Sequence, residues 1–190
     1  STAIFIMKLS SSGNVLWTKL HQSSGSDIGY AVTTDSSNNI YVTGNTTGGL
    51  DNNTQVGSGD MFLVKYNSSG TKQWTKQPGT SSGESGQSVI TDTSGNIYVT
   101  GYTGGGLDGN TNQGSNDIFL VKYNSSGVKQ WTKQLGTSSS DYGSAIGIFS
   151  SNNQDYIYIT GTTDGALDGN TNSEASDIFV VKYNTDGVKQ

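Results

Sequence analysis

The phrase DMFLVKYNSSGTKQWTKQ around Trp74 returns almost letter for letter as DIFLVKYNSSGVKQWTKQ around Trp131, and Trp17 holds the same place in an earlier copy. The interval is 57 residues both times (17 to 74, then 74 to 131). A further copy, DIFVVKYNTDGVKQ, starts at Asp177, three residues later than that period from Asp117. A unit of this length is one supersecondary element that cannot bury its own apolar surface, so the fold has to be built by stacking neighbours. Repeat phrases begin near residues 3, 60, 117 and 177, the last incomplete, and residues 1–190 read as a single repeat domain.

Composition removes several function classes. With 31% hydrophobic residues, 27 Gly and a single Pro, the chain is too polar for a membrane span and too regular for disorder. Its basic residues are all Lys, ten in number, and the formal charge is −5. The planar fork that grips phosphate is therefore absent and the net field repels a polyanion, which argues against nucleic acid as a partner. Cysteine is absent too, excluding disulfides, thiolate nucleophiles and Cys-type zinc sites. The N-terminal STAIFIMKLS aligns with the strand phrase at residues 61–67 and lacks the pattern of a signal peptide, so the chain is expected to begin in mid-repeat.

Within the second repeat, Met61, Phe62, Leu63, Val64, Lys65 and Tyr66 form a β-branched and aromatic run expected to be a strand covered on both faces. Asn67-Ser68-Ser69-Gly70 supplies a turn, and Lys72, Trp74 and Lys76 then share one face of a wetter second strand. The run GQSVIT from Gly86, matching GYAVTT and GSAIGI, is a strand of small side chains; the turn Asp92-Thr93-Ser94-Gly95 joins it to a fourth strand, NIYVTG. A gradient from small to mixed apolar to polar side chains suits sheets that converge on an axis and splay outward, which is a propeller blade. The three added residues fall between Ile148 and Ile157, where they lengthen one hairpin tip.

The phrases DIFLVKYN, SGNIYVTG and KQWTKQLG resemble the bacterial β-propeller repeats called SBBP, over essentially the whole chain. The resemblance implies a multi-bladed propeller in exported or surface-anchored bacterial proteins, with no established catalytic residues to carry over. By comparison with related propellers, GYAVTT-type strands are innermost and the Trp strand outermost. The expected fold is thus an all-β propeller arc of four-stranded blades, three full blades after an N-terminal outer hairpin, fourteen strands in all. Its two uncovered end faces lead to the expectation of a larger propeller, or of head-to-tail association with further copies or with another chain's inner strands.

One loop has the alternation of a hard-cation site. Asp108, Asn110 and Asn112 put oxygens at every second position, and Gly114 and Asp117 follow; Asp51, Asn53, Gln55 and Asp60, then Asp168, Asn170, Asn172 and Asp177, are the counterparts. Alternate residues of a tight loop point to a common centre, so calcium is the candidate cofactor. The pattern resembles the calcium loops of integrin-type propellers, with the last acid one residue late and two carboxylates per loop. The competing reading is that Asp and Asn form turns that order a long connection.

Asp27, Glu84 and Asp141 each stand two residues before the Gly of an inner strand, placing carboxylates near one mouth of a central channel; the favoured role is pairing with local N–H groups. His21, the only histidine, follows the first outer strand where later repeats have Gln77 and Gln134, and reads as an exposed surface residue. Glu84 and Glu174 could in principle join Asp residues as a glycosidase pair, but such sites recruit singular residues from non-equivalent blades and nearly everything here repeats. Trp17, Trp74 and Trp131 are either sugar platforms or interblade seals, with the seal favoured. The resulting reading is a non-catalytic repeat scaffold or adhesive module of a bacterial surface or secreted protein, binding protein partners or further copies of itself. A multivalent carbohydrate-binding propeller is the alternative.

Overall fold

In the computed structural model, which describes residues 2–151, 154–173 and 175–190, the chain is built from antiparallel sheets arranged in series. Strands β1 (Ile4–Leu9) and β2 (Val15–His21) form a hairpin. The next sheet runs in chain order from β3 (Asp27–Thr34) through β4 (Ile40–Thr46) and β5 (Asp60–Tyr66) to β6 (Lys72–Lys76). Another repeats it with β7 (Glu84–Thr91), β8 (Ile97–Thr103), β9 (Asp117–Tyr123) and β10 (Lys129–Leu135). The last sheet holds β11 (Asp141–Ser151), β12 (Gln154–Thr163) and β13 (Asp177–Asn184). Among the described residues, helix is limited to single 3-10 turns at Leu50–Asn52, Leu107–Gly109 and Leu167–Gly169, and no helix is long and apolar enough to cross a membrane.

The all-β, four-stranded blade is therefore as expected, and the sheets do not close into a ring. The strand count differs. Thirteen strands stand among the described residues, because the last blade has only an isolated bridge, Tyr183 to Lys189, where a fourth strand was expected. Two blades rather than three are four-stranded.

The turn chemistry follows the residues. Gly13, Gly70, Gly127 and Gly187 close the outer hairpins at φ +83, +77, +75 and +76, where an L side chain is disfavoured. Asn67 Oδ1 accepts from the backbone N–H groups of Ser69 and Thr71, fixing the turn from inside. The insertion extends β11 and β12, which stay paired out to Ser151 and Gln154; the tip at residues 152–153 lies outside the described residues.

The apolar core is divided among the joints between blades. Ile4 and Ile6 pack with Phe62, Val64 and Tyr66; Met61 and Leu63 with Phe119, Val121 and Tyr123; Ile118 and Leu120 with Phe179, Val181 and Tyr183. A strand's alternate side chains point to opposite faces, so the middle strand of each blade feeds the joint before it with one set and the joint after it with the other. That double duty is why β5 and β9 read as continuous apolar runs.

Candidate functional site

The ligand-like loops join the second strand of each blade to the third. In each, a buried leucine, Leu50, Leu107 or Leu167, anchors a tight turn, and the following aspartate takes left-handed backbone at φ 50, 54 and 55. Asp and Asn tolerate that region better than most residues because their short polar side chains bond locally. Asn53, Asn110 and Asn170 donate Nδ2 back to the leucine carbonyl at 2.7, 2.7 and 2.9 Å.

The carboxylates turn to protein cations and amides. Asp51, Asp108 and Asp168 pair with Lys72, Lys129 and Lys189 on the strand or segment that follows. Thr132 adds its hydroxyl to Asp108 at 2.5 Å, and Thr75 does the same for Asp51. Asp60 and Asp117 accept from Gln77 and Gln134, both at 2.8 Å, and from the N–H groups of Val56 and Gln113. Asp177 accepts from the Ser173 N–H at 2.9 Å and hydroxyl at 2.7 Å. Asn112 donates to the Gly114 carbonyl at 2.6 Å and Asn172 to Ala175 at 3.3 Å. The two acids of each loop thus answer different protein groups instead of facing one centre, and among the described residues no three His, Cys, Asp or Glu side chains gather as metal ligands. In each loop a lysine ammonium brings a positive charge to the first acid.

Burial alone would raise the Asp51 carboxyl, but its bonds to Lys72 and Thr75 outweigh that and hold it below the ordinary value. Asp51 also receives His21. This histidine, expected at the surface, is buried: Nδ1 lies 3.0 Å from the Tyr66 hydroxyl, and Nε2 lies 2.9 Å from Asp51 without the alignment of a good hydrogen bond. The expected alignment with Gln77 and Gln134 is one place off: on the 57-residue period His21 stands where later copies have Pro78 and Leu135, so nothing in the array signals its contact with the next blade. Burial lowers the His21 pKa from 6.5, partly opposed by Asp51, and the same burial raises the Tyr66 hydroxyl to about 12. Since the folded chain binds this proton less readily than the unfolded one, the His21 contribution to stability is complete above 6.5 and lost as the pH falls below it. Denaturant midpoints should accordingly drop between pH 6.5 and about pH 5, a range above the titration of the carboxylates, and His21→Gln should flatten that drop. An equal drop in the variant would assign the effect elsewhere.

The inner acids fix strand starts, as favoured. Asp27, Glu84 and Asp141 are buried, and accept the backbone N–H of Ser23, Thr80 and Thr137 at 2.5, 2.7 and 2.6 Å. A hydroxyl from the neighbouring strand, Thr46, Thr103 or Thr163, completes each. Glu84 is thereby committed to its own blade, and Glu174, the other acid considered for a pairing with Asp, lies outside the described residues.

Each Trp seals a seam. A Cβ on Gly70, Gly127 or Gly187 would lie 3.1, 2.8 or 3.1 Å from the indole of Trp17, Trp74 or Trp131, so the next blade's turn rests directly on the ring. Tyr41 and Tyr98 meet Trp74 and Trp131 as tilted pairs at 6.0 and 6.1 Å between centroids. Lys8, Lys65 and Lys122 cross the same seams to the carbonyls of Ser68, Ser125 and Thr185 at 3.0, 3.0 and 2.9 Å. This repeated contact holds each half-buried indole against the next blade's turn.

The residues missed in the sequence are the latches. Asp and Lys recur 21 residues apart in all three loops, a spacing untouched by the insertion because it precedes both partners of the third pair. That constant interval was the available signal.

Comparison with known proteins agrees with the architecture. A WD repeat-containing protein of Acanthamoeba polyphaga mimivirus is 32% identical over 161 residues, 70% of this chain and 12% of that protein. The regulatory protein FlaEY of Caulobacter vibrioides is 25% identical over 171 residues, 81% of this chain and 18% of that protein. The chain thus spans less than a fifth of either relative. The model of the SBBP β-propeller repeat matches at residues 17–51 and 73–108, each match beginning on the Trp-bearing strand and continuing through the inner hairpin into the latch loop. The two matched segments fall on corresponding parts of successive blades, so the chain carries SBBP-type β-propeller repeat matches at residues 17–51 and 73–108.

Proposed function

We propose that the chain is a non-catalytic interaction scaffold of a secreted or surface-displayed bacterial protein. One observation carries this reading: the acids, indoles and loop oxygens that look ligand-like in sequence are used inside the fold, copy after copy, for strand starts, seams and latches. What remains for a partner is a repeated polar surface, on which Gln73 and Gln130 occupy matching exposed places. Repetition of one weak surface favours multivalent contact, whereas an active site needs singular residues.

The carbohydrate alternative would require the Trp seams to open. A glycan array should therefore remain blank, and calcium should leave the melting temperature unchanged. A sugar that shifts Trp fluorescence and is lost in Trp74→Ala would replace the scaffold reading with a lectin. Millimolar calcium that raises the melting temperature, through Asp108, would restore the cation site. Surface display has its own test: protease added to intact cells of the producing organism should cleave the chain, and full protection would place it inside.

A further inference from the structure

The three residues added between Ile148 and Ile157 break the repeat period, and they reshape the seam between two blades. Pairing of β11 with β12 runs on to Ser151 and Gln154, whereas the equivalent pairing of β7 with β8 stops at Thr91 and Ile97. Side chains alternate along a strand, so Asp155 points the same way as Ile157 and Ile159, which are buried in the joint with Ile118 and Leu120. The lengthened stem therefore carries a carboxylate past the apolar joint, opposite the turn at residues 92–96 of the preceding blade. Between these two walls lies a cleft of about 590 Å³.

No hydrocarbon side chain lines the cleft, so an apolar occupant would gain little there, and an anion would meet Asp92 and Asp155. Asp92 is already spent. It is buried and accepts from the N–H groups of Ser94 and Asn96, the Asn96 amide and the Tyr98 hydroxyl. Asp155 differs: half-buried, it accepts from Ser150 of its own hairpin, while the Thr93 hydroxyl reaches across only at 3.4 Å, a long contact for two oxygens. Among the described residues it forms no ion pair, unlike Asp51, Asp108 and Asp168. Lys122, which also lines the cleft, is held by the Thr185 carbonyl at 2.9 Å and lies over the Tyr98 ring at 5.4 Å. The local field stays negative: burial, then Asp92, Asp155 and Asp186, push the Tyr98 hydroxyl well above its ordinary value.

We propose that this cleft receives an arginine side chain of a protein partner, with Asp155 as its counter-ion and the hydroxyls of Thr93 and Ser94 as further acceptors. A guanidinium is planar and carries its donors in a fixed fork, so one group meets the carboxylate and the neighbouring hydroxyl oxygens together and displaces the long Thr93 contact. The repeated outer surface supplies avidity, and a cleft made by a departure from the repeat supplies specificity. This assignment rests on the scaffold reading and names the partner's chemistry. If the cleft binds no arginine, the repeated surface remains as the contact, whereas a sugar whose binding is lost in Trp74→Ala removes the scaffold reading itself.

Nuclear magnetic resonance of the isotope-labelled 190-residue chain tests it, with acetyl-Gly-Arg-Gly-amide as the probe and acetyl-Gly-Gln-Gly-amide as the neutral control. The amide signals of Thr93, Ser94, Asn96 and Asp155 should shift saturably with the arginine peptide, with a Kd of about 1 to 10 mM, and stay in place with the glutamine peptide. Salt at about 0.5 M should weaken the binding several-fold. Asp155→Asn keeps the side-chain shape and should weaken it about tenfold or more. Thr93→Lys, at an exposed position, puts an ammonium beside Asp155 and should abolish binding while the melting temperature matches the parent. No saturation up to about 20 mM peptide, an equal response to the glutamine peptide, or unchanged affinity in both variants would each overturn the proposal. So would shifts at Asp51, Asp108 and Asp168 as large as those at Asp155, which would reveal general charge attraction.

Discussion

Gly101→Ala is expected to lower stability by about 3 kcal/mol or more, and the melting temperature by roughly 6 to 12 °C for a chain of this size. Gly101 lies in the middle of β8, paired with Gly86 of β7 and Phe119 of β9, beside the register shift between Gly86 and Ser88. A Cβ there would stand 1.8 Å from the Ser85 carbonyl oxygen and 3.0 Å from the Phe119 ring. The ring can turn aside, but the carbonyl belongs to a paired backbone and moves only if the bulge opens. Gly44 and Gly161 repeat the contact at 1.9 Å to Ile28 O and 1.8 Å to Tyr142 O, so alanine at either should be comparably harmful. Urea unfolding monitored by Trp fluorescence measures all three; a loss under about 1 kcal/mol would show that the bulge relaxes easily.

Glu84→Ala should have an effect of similar size, about 3 kcal/mol, for a different reason. Its carboxylate, 1% exposed, accepts from the Thr80 N–H, the Thr80 hydroxyl and the Thr103 hydroxyl at 2.7, 2.6 and 2.8 Å. Truncation leaves three buried or half-buried donors without an acceptor, and each unmet donor costs on the order of 1 kcal/mol or more. Glu84→Gln retains one acceptor oxygen and should recover part of the loss. If alanine and glutamine variants melt together within about 1 °C of the parent, water replaces the carboxylate and the strand start does not depend on it.

Much of this was legible because the array repeats. A run such as MFLVKY, flanked by NSSG and a Trp-bearing segment, specifies a hairpin in any context: the β-branched content sets the strand and the glycine sets the turn. The inner acids were legible for the same reason, since Asp27, Glu84 and Asp141 bond to residues only four positions upstream. Alternation of Asp and Asn predicts where oxygens lie along a loop, not which protein group they meet. Lys129 and Gln134 approach the loop from the outer strand, and their side chains reach the acids first. His21 misled: its neighbours in sequence are exposed, and its burial comes from Tyr66 and Asp51 of the following blade.

By itself, then, the sequence determined the repeat, the four-strand order within a blade, the turn residues and the division of each apolar run between two faces, all of which depend on contacts along the chain or between adjacent strands. Only the tertiary structure decided what occupies each seam: that Trp74 is covered by Gly127, that Lys65 ends on Ser125, and that Ile178 and Val180 face outward while Ile118 and Leu120 are enclosed. Identical phrases carry identical local preferences, but burial is a property of the neighbouring blade, and a copy with a neighbour on one side differs physically from a copy with neighbours on both.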